Sequence, residues 1–166
     1  SDGVYVLKVR AKDSLENWSE YAERSIQVDT TPPSVPTVTG VPLTNNKKPE
    51  WTWGEVADTA EYGVVLNSNV EVIQTETTFT SPITLQDGSH TLKVRAKDST
   101  GNWSEYGQSV TVIDTVPPAV PNPTGQTRTS NPRPTWMWDN DQDVVSYELK
   151  LNDGDIITTT DVTYLP

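Results

Sequence analysis

The sequence contains no cysteine, and only one histidine, one methionine and one phenylalanine occur among its 166 residues. Without cysteine, the chain forms neither disulfide bonds nor thiolate metal sites. A single histidine excludes a histidine cluster with metal-ligand spacing, and no phosphate-binding glycine loop is present. We therefore expect no enzymatic activity.

Basic residues and long apolar runs are also scarce. Twelve lysine and arginine residues stand against 23 aspartate and glutamate residues, which gives a formal net charge of −11. This acidity argues against nucleic acid as a partner. No apolar run approaches the ~20 residues that cross a bilayer, so we expect no membrane insertion. Clustered carboxylates are instead suited to a hard cation such as calcium.

What the sequence does contain is a repeat. The phrase DGVYVLKVRAKDSLENWS at residues 2–19 returns as DGSHTLKVRAKDSTGNWS at residues 87–104. Other landmarks return with the same spacing of 85 residues, such as Trp51 as Trp136. A fixed period without insertions is typical of a tandem array of identical folding units.

Each unit has the pattern of an all-β domain. Apolar and polar residues alternate along short segments, turn residues separate these segments, and no helical period is present. We therefore predict tandem β-sandwiches of about seven strands in each 85-residue repeat. The strands are predicted at Thr37–Thr39 (A), Glu50–Trp53 (B), Glu61–Leu66 (C), Val70–Thr75 (C′), Thr78–Thr84 (E), His90–Lys97 (F) and Gln108–Ile113 (G).

The repeat divides the chain into three parts. These are the C-terminal half of one repeat with strands F and G (1–31), a complete repeat (32–116) and the N-terminal half of the next repeat (117–166). A two-stranded half cannot bury an apolar face alone. Pro166 aligns with Ser81 and Ser1 with Gln86, so only positions 82–85 of the repeat lie between one copy and another. Either the sequence is part of a longer array, which we favour, or separate chains complete each other's half-domains by strand exchange.

Three groups of phrases carry a family resemblance. They are TPPSVPTVTG and VPPAVPNPTG, KPEWTW and RPTWMW, and DGSHTLKVRAKDSTGNWS with VTVIDT. In these phrases the chain resembles the bacterial immunoglobulin-like repeats of large secreted or cell-surface proteins, which are close in architecture to fibronectin type III domains. The resemblance implies a bacterial surface or secreted location, and either a spacer or adhesive module or a domain attached to a secreted enzyme.

Acidic residues at the repeat junctions predict calcium sites. In a sandwich of this type, the BC and FG loops lie where the preceding linker enters strand A. The candidate ligands are Asp29, Asp58, Asp98 and Asn102 at the first junction, and Asp114, Asp141 and Asp143 at the second. Calcium bound there would stiffen the joint. The alternative interpretation is that these residues form turns, because Asp and Asn favour turns without any metal.

Six tryptophans suggest a surface glycan as another possible partner, since indole rings stack on flat ligands. Trp51 and Trp53 are two residues apart on strand B, so they share a face, and we expect that face to be the inner one. The same holds for their counterparts in the third part. Trp18 and Trp103 follow the FG turn, and two interpretations stay open for them, core packing and partly exposed packing on the linker prolines.

The outer face of strand F carries a basic row. We expect its members to pair with outward-facing acidic residues such as Glu61 and Glu148 on strand C; they are Lys93, Arg95 and Lys97. His90 lies on the same strand where the first copy has Tyr5. We expect it to be an aromatic-sized residue at the edge of the core.

The linkers 29–33 and 114–118 both end in two consecutive prolines, which favour an extended and semi-rigid path. We therefore predict a non-catalytic, secreted or cell-surface structural or adhesive spacer whose partners are neighbouring repeats of the same or an identical chain. One alternative is a carbohydrate-binding accessory module of a secreted enzyme. Another is a filament subunit that completes its half-domains by strand exchange.

Overall fold

A computed structural model of the chain describes all residues from Ser1 to Pro166. Its regular secondary structure consists of β-strands alone. None of its segments is a helix that could cross a membrane. The strands are β1 (Gly3–Val9), β2 (Ala22–Val28), β3 (Val38–Gly40), β4 (Leu43–Thr44), β5 (Glu50–Trp53), β6 (Glu61–Leu66), β7 (Val72–Gln74), β8 (Thr78–Thr80), β9 (Gly88–Lys97), β10 (Gly107–Ile113), β11 (Trp136–Met137), β12 (Tyr147–Lys150), β13 (Ile156–Thr159) and β14 (Thr163–Tyr164).

The complete repeat contains β3 to β10 and forms a sandwich of two sheets. One sheet has the order β4-β10-β9-β6-β7, and the other has the order β3-β5-β8. Neighbouring strands are antiparallel, except that β4 runs parallel to β10. The predicted all-β Ig-like sandwich is therefore confirmed. Its core consists of Val38, Trp51, Trp53, Tyr62, Val64, Leu66, Leu85, Leu92, Val94, Ala96 and Ile113.

The alternation of side chains sets which face of each strand is buried. On β5, Trp51 and Trp53 are buried while Glu50 and Thr52 are exposed, as the sequence predicts. Strands β5 and β6 have the predicted bounds, β9 and β10 begin slightly earlier, β3 is shifted by one residue, and β7 and β8 are shorter than predicted. The prediction missed β4, because two residues after a proline give almost no periodic signal.

The segment before the complete repeat is a regular hairpin. Strands β1 and β2 pair along their whole length, from Gly3 opposite Val28 to Val9 opposite Ala22. Its apolar face stays open to solvent: Leu7 is 66% exposed, whereas its counterpart Leu92 in the complete repeat is 0% exposed. A hairpin alone therefore forms its ladder but buries no core.

The chain divides into two compact units, Ser1–Thr115 and Val116–Pro166. In the second unit β11 pairs with β14 and β12 pairs with β13. Tyr147 is the one buried apolar side chain of this unit, and Trp136 stays 37% exposed where its counterpart Trp51 is fully buried. The predicted domain boundary after residue 31 stays a prediction.

Candidate functional site at the repeat junction

Asp98 organises the turn that follows β9. Its Oδ1 accepts hydrogen bonds from the backbone N–H groups of Thr100, Gly101 and Asn102 at 2.9, 2.7 and 2.8 Å. Its Oδ2 accepts one from Asn102 Nδ2 at 2.8 Å. Gly101 has a φ of +103°, which residues with a Cβ rarely adopt. The turn interpretation of Asp98 and Asn102 is therefore confirmed.

These contacts determine the charge state of Asp98. Desolvation of the buried carboxylate raises its pKa, but the hydrogen bonds from Asn102, Thr100 and Gly101 together outweigh this effect. The net result is a pKa of about 2, below the ordinary 3.8. Asp98 is thus ionised at any physiological pH, and both of its carboxylate oxygens accept hydrogen bonds within the turn.

The same turn contacts the linker that enters the complete repeat. Asn102 Nδ2 donates a hydrogen bond to the backbone carbonyl oxygen of Asp29 at 3.1 Å, and Thr100 Oγ1 lies 3.5 Å from the same oxygen. The carboxylate of Asp29 accepts a hydrogen bond from the backbone N–H of Thr31 at 3.0 Å, which forms a turn before the prolines. The turn after β9 therefore contacts the linker through Asn102.

The other predicted calcium ligands are not joined to this cluster by any hydrogen bond. Asp58 is exposed in the β5–β6 loop, with a positive φ of 59°, and makes no hydrogen bond to Asp29, Asp98 or Asn102. Nowhere in the chain do three acidic or histidine side chains converge in an arrangement that could hold a metal ion.

At the second junction the predicted ligands divide between the two compact units. Asp114 belongs to the first unit, where its backbone N–H donates to Thr44 at 3.0 Å. Asp141 and Asp143 belong to the second, where Asp141 accepts a hydrogen bond from the backbone of Ala119 at 3.4 Å. Calcium at the junctions stays a prediction.

A second contact, which the sequence analysis missed, holds the end of β10. Asp87 accepts hydrogen bonds from the backbone N–H and the hydroxyl of Thr115 at 3.0 and 2.9 Å, and these contacts lower the pKa of Asp87. In the first copy, Asp2 accepts hydrogen bonds from the hydroxyls of Thr30 and Thr31, both at 2.7 Å. The sequence could have indicated this contact, because the Asp and the Thr recur together with the spacing of the repeat.

A cation–π arrangement covers the outer face of β9. The Arg95 guanidinium lies 4.2 Å from the ring centroid of Trp103 and 5.0 Å from that of Tyr106. Glu71 accepts two hydrogen bonds from Arg95, at 2.7 Å from Nε and 2.6 Å from Nη2, and one from the hydroxyl of Tyr106 at 2.7 Å. The bond from Arg95 is the main cause of the lowered pKa of Glu71.

This arrangement corrects two expectations. Trp103 packs on Arg95 and not in the core, because the bridge between Trp103 and Lys97 places the indole on the outer face of the sheet. The predicted charge pair between Lys97 and Glu61 is confirmed, with 2.8 Å between Nζ and Oε1. Arg95, in contrast, pairs with Glu71 beside β7 and not with strand C.

His90 has a structural environment. Its Nε2 lies 2.8 Å from the carbonyl oxygen of Gln86, and its Nδ1 lies 3.1 Å from Asn67 Nδ2. In the first copy, the Tyr5 hydroxyl donates to the carbonyl oxygen of Ser1, which aligns with Gln86, at 2.7 Å. The two side chains therefore bind the backbone carbonyl oxygen at equivalent positions of the repeat.

Few indole faces in the unit Ser1–Thr115 are open to a ligand, and a surface glycan as a partner stays a prediction. Trp51 and Trp53 are buried in the core, at 0% and 5% exposure. Trp18 is the most exposed tryptophan, and the guanidinium of Arg10 lies 4.1 Å from its ring centroid. Even this ring therefore offers a ligand one face at most.

The fold and the junction define an Ig-like β-sandwich module with its linkers. Residues 40–115 match the family model of the bacterial Ig-like domain, and this match confirms the resemblance. Among solved structures, the chain is similar to the crystal structure of chicken CNTN1 FN1-FN3 domains, with 13% identity and a TM-score of 0.39 over 95% of this chain. The match spans 64% of that chain. No curated protein matches the sequence.

Proposed function

We propose that this chain is a non-catalytic, extracellular structural or adhesive spacer built of Ig-like repeats with semi-rigid junctions. The observation that carries the proposal is the hydrogen bond from Asn102 Nδ2 to the carbonyl oxygen of Asp29. It ties a turn of the complete repeat to the linker of the preceding segment. Bacterial Ig-like domains fit structural or adhesive modules of secreted and surface proteins, which supports the location.

The junction combines three restraints within a few residues. The carboxylate of Asp29 fixes a turn through Thr31, the consecutive prolines restrict φ, and Asn102 binds the backbone carbonyl of Asp29. Asn102 is itself fixed by Asp98, so the restraint is anchored to β9 and not to a mobile side chain. Such a junction sets the distance between neighbouring repeats, as a flexible tether would not.

The polar groups with shifted pKa values are all occupied in structural contacts. Asp98 holds the turn, Asp87 holds the end of β10, and Glu71 pairs with Arg95. Shifted pKa values mark catalytic groups when they lie in a cleft, but here each shift follows from a bond that fixes backbone or sheet. This supports a structural role over catalysis.

Small-angle X-ray scattering of the chain tests the proposal. We expect a narrow distribution of long interatomic distances for the wild type and a broader one for Asn102→Ala, which frees the linker carbonyl. Asn17→Ala is the matched control, because Asn17 makes the same bond to Asp13 in the first hairpin. Scattering of a freely jointed or collapsed wild-type chain would overturn the spacer.

Calcium stiffening is a separate part of the proposal. Calcium is bound by carboxylate and carbonyl oxygens. The junction supplies such oxygens through Asp98, Asp29 and Asn102, and these groups also take part in hydrogen bonds. Thermal unfolding with excess calcium and with chelator decides the matter. A midpoint that rises with calcium and no longer rises in Asp98→Asn supports a metal at the junction. An unchanged midpoint leaves the hydrogen bonds and prolines as the source of stiffness.

A further inference from the structure

The outer face of the five-stranded sheet in the complete repeat carries an exposed apolar patch. On β10, Val110 and Val112 are 45% and 38% exposed, and both point away from the core because Thr111 between them is buried. The parallel strand β4 adds Leu43, which lies beside Val112 and is 64% exposed. We call these three side chains, Leu43, Val110 and Val112, the outer patch.

Charges of opposite sign lie at the two ends of the outer patch. At one end Lys93, which lies opposite Gln108 in the ladder of β9 and β10, is exposed and forms no ion pair. At the other end Asp114 is exposed two residues beyond Val112, so strand alternation places it on the same face. The ladder continues this far, since the backbone N–H of Asp114 donates to the carbonyl oxygen of Thr44 at 3.0 Å.

Six other charged side chains around the outer patch form ion pairs among themselves. These pairs are Arg95 with Glu71, Lys97 with Glu61 and Lys47 with Asp87, at 2.6, 2.8 and 3.4 Å between nitrogen and oxygen. Each pair carries no net charge. Lys93 and Asp114 therefore set the charge pattern along this face.

The two charges are placed symmetrically about the outer patch. Gln108, the cross-strand neighbour of Lys93, lies three residues before Thr111, and Asp114 lies three residues after it. At ~3.4 Å per residue of strand, each end is about 10 Å from the centre. Such a face is self-complementary, because a twofold axis that runs across the strands sets the cation of one copy over the anion of another.

The first hairpin shows that the free cation is not a general property of the repeat. There Lys8 pairs with Glu23 on β2 at 2.7 Å, so its charge is neutralised within the hairpin. The complete repeat has Gln108 at the position of this glutamate. The first hairpin also has polar residues where β10 has its two exposed valines, and the valines of its face are Val4 and Val6 on β1.

We propose that the outer face of the complete repeat binds the same face of a second copy of this chain, antiparallel to it, so that Lys93 of each copy pairs with Asp114 of the other. The outer patches of the two copies pack between these two ion pairs, as two sheets do face to face. The contact joins chains side by side and does not depend on the junction that makes the spacer. Three apolar side chains from each copy make a small interface, so we expect weak association.

Sedimentation equilibrium of the full chain, from micromolar to millimolar concentration, tests the charge contacts. We expect the average mass of the wild type to rise with concentration towards that of a dimer. Lys93→Asp and Asp114→Lys each set like charges opposite one another in both symmetric contacts, so each weakens association by about tenfold or more. The double variant with exchanged charges restores association to near the wild-type level, which a folding defect of the single variants could not explain.

The apolar contact is tested with residues that the repeat itself uses. Val110→Ser combined with Val112→Gln gives β10 the residues that the first hairpin has at these positions, Ser25 and Gln27. Both valines are exposed, so the change leaves the core intact. Loss of the apolar contact should weaken association by about tenfold or more.

Lys8→Asp is the matched control, because it makes the same change of charge at the equivalent position of the first hairpin, and it should associate as the wild type does. The proposal is overturned if the wild type stays monomeric at all concentrations, or if the exchanged double variant associates no better than the single variants. It is equally overturned if Lys8→Asp weakens association as much as Lys93→Asp. The junction variant Asn102→Ala should associate normally, so this proposal and the spacer can fail independently.

Discussion

The hairpins β1–β2 and β9–β10 have nearly the same sequence but very different environments. Both form an antiparallel ladder, and both place an arginine over a tryptophan, at 4.1 Å in the first and 4.2 Å in the second. Val9 is nevertheless 56% exposed while Val94 is 0% exposed. The turn and the cation–π contact are therefore local properties of the hairpin, and burial is not.

Burial comes from the strands that only the complete repeat supplies. Strand β6 pairs with β9 along six positions, and β5 covers the inner face from the opposite sheet. The carboxylate partner of Arg95 also comes from outside the hairpin, since Glu71 lies before β7. Comparison of the two hairpins thus distinguishes the contacts that the hairpin sequence forms by itself from those that the complete sandwich adds. The same substitution made in each hairpin measures how much the added contacts contribute to stability.

The largest difference in stability between equivalent substitutions in the two hairpins is expected at the leucine that faces the core. Leu92→Ala should lower the free energy of unfolding of the complete repeat by about 2–5 kcal/mol, because it opens a cavity at a fully buried site. Leu7→Ala, the same change at an exposed site, should alter it by less than about 0.5 kcal/mol in dilute protein. Urea unfolding followed by tryptophan fluorescence measures both. Equal effects would show that the first hairpin is buried in the dilute chain.

An intermediate difference is expected on the outer face. Arg95→Ala removes two hydrogen bonds to Glu71 and the contact with Trp103, and we expect a loss of about 1–3 kcal/mol. Arg10→Ala removes only the ring contacts and should cost less than about 1 kcal/mol. Urea unfolding of the two variants checks this. If Arg95→Ala proved neutral, the network would contribute nothing to stability.

The sequence predicted the parts of the structure that depend on short patterns. The alternation around Trp51 and Trp53 indicated the buried face of β5, and the recurring Asp98 indicated the turn. Both follow from the period of a strand or from the side-chain chemistry of a turn. The position of the junction was also predictable, because linker order and sandwich topology together bring the FG turn to the linker.

The features that the sequence did not reveal depend on register between strands. Trp103 follows a turn, and nothing in its neighbours indicates that a bridge to Lys97 places the ring over Arg95. Glu71 was invisible as a partner because it is 24 residues away from the arginine. Comparison of the repeats offered a clue, since the tryptophan, arginine and tyrosine recur together. The register between the strands must be known, however, before this recurrence indicates that the three side chains are in contact.

The smallest difference between equivalent substitutions in the two hairpins concerns the turn aspartates Asp98 and Asp13. Their effect on stability differs little at neutral pH, and the difference grows as the pH falls. Asp98 has a pKa of about 2 in the folded chain against an ordinary 3.8, so below the ordinary value the unfolded chain binds more protons. Its contribution to stability is therefore complete above pH 3.8 and is lost as the pH falls towards 2. Asp98→Asn should remove this part of the acid dependence, measured as urea midpoints over that interval. Asp13→Asn, in the equivalent turn of the first hairpin, should leave the acid dependence of the complete repeat as in the wild type. An unchanged slope in Asp98→Asn would mean that other carboxylates with lowered pKa values, such as Glu71, govern acid unfolding.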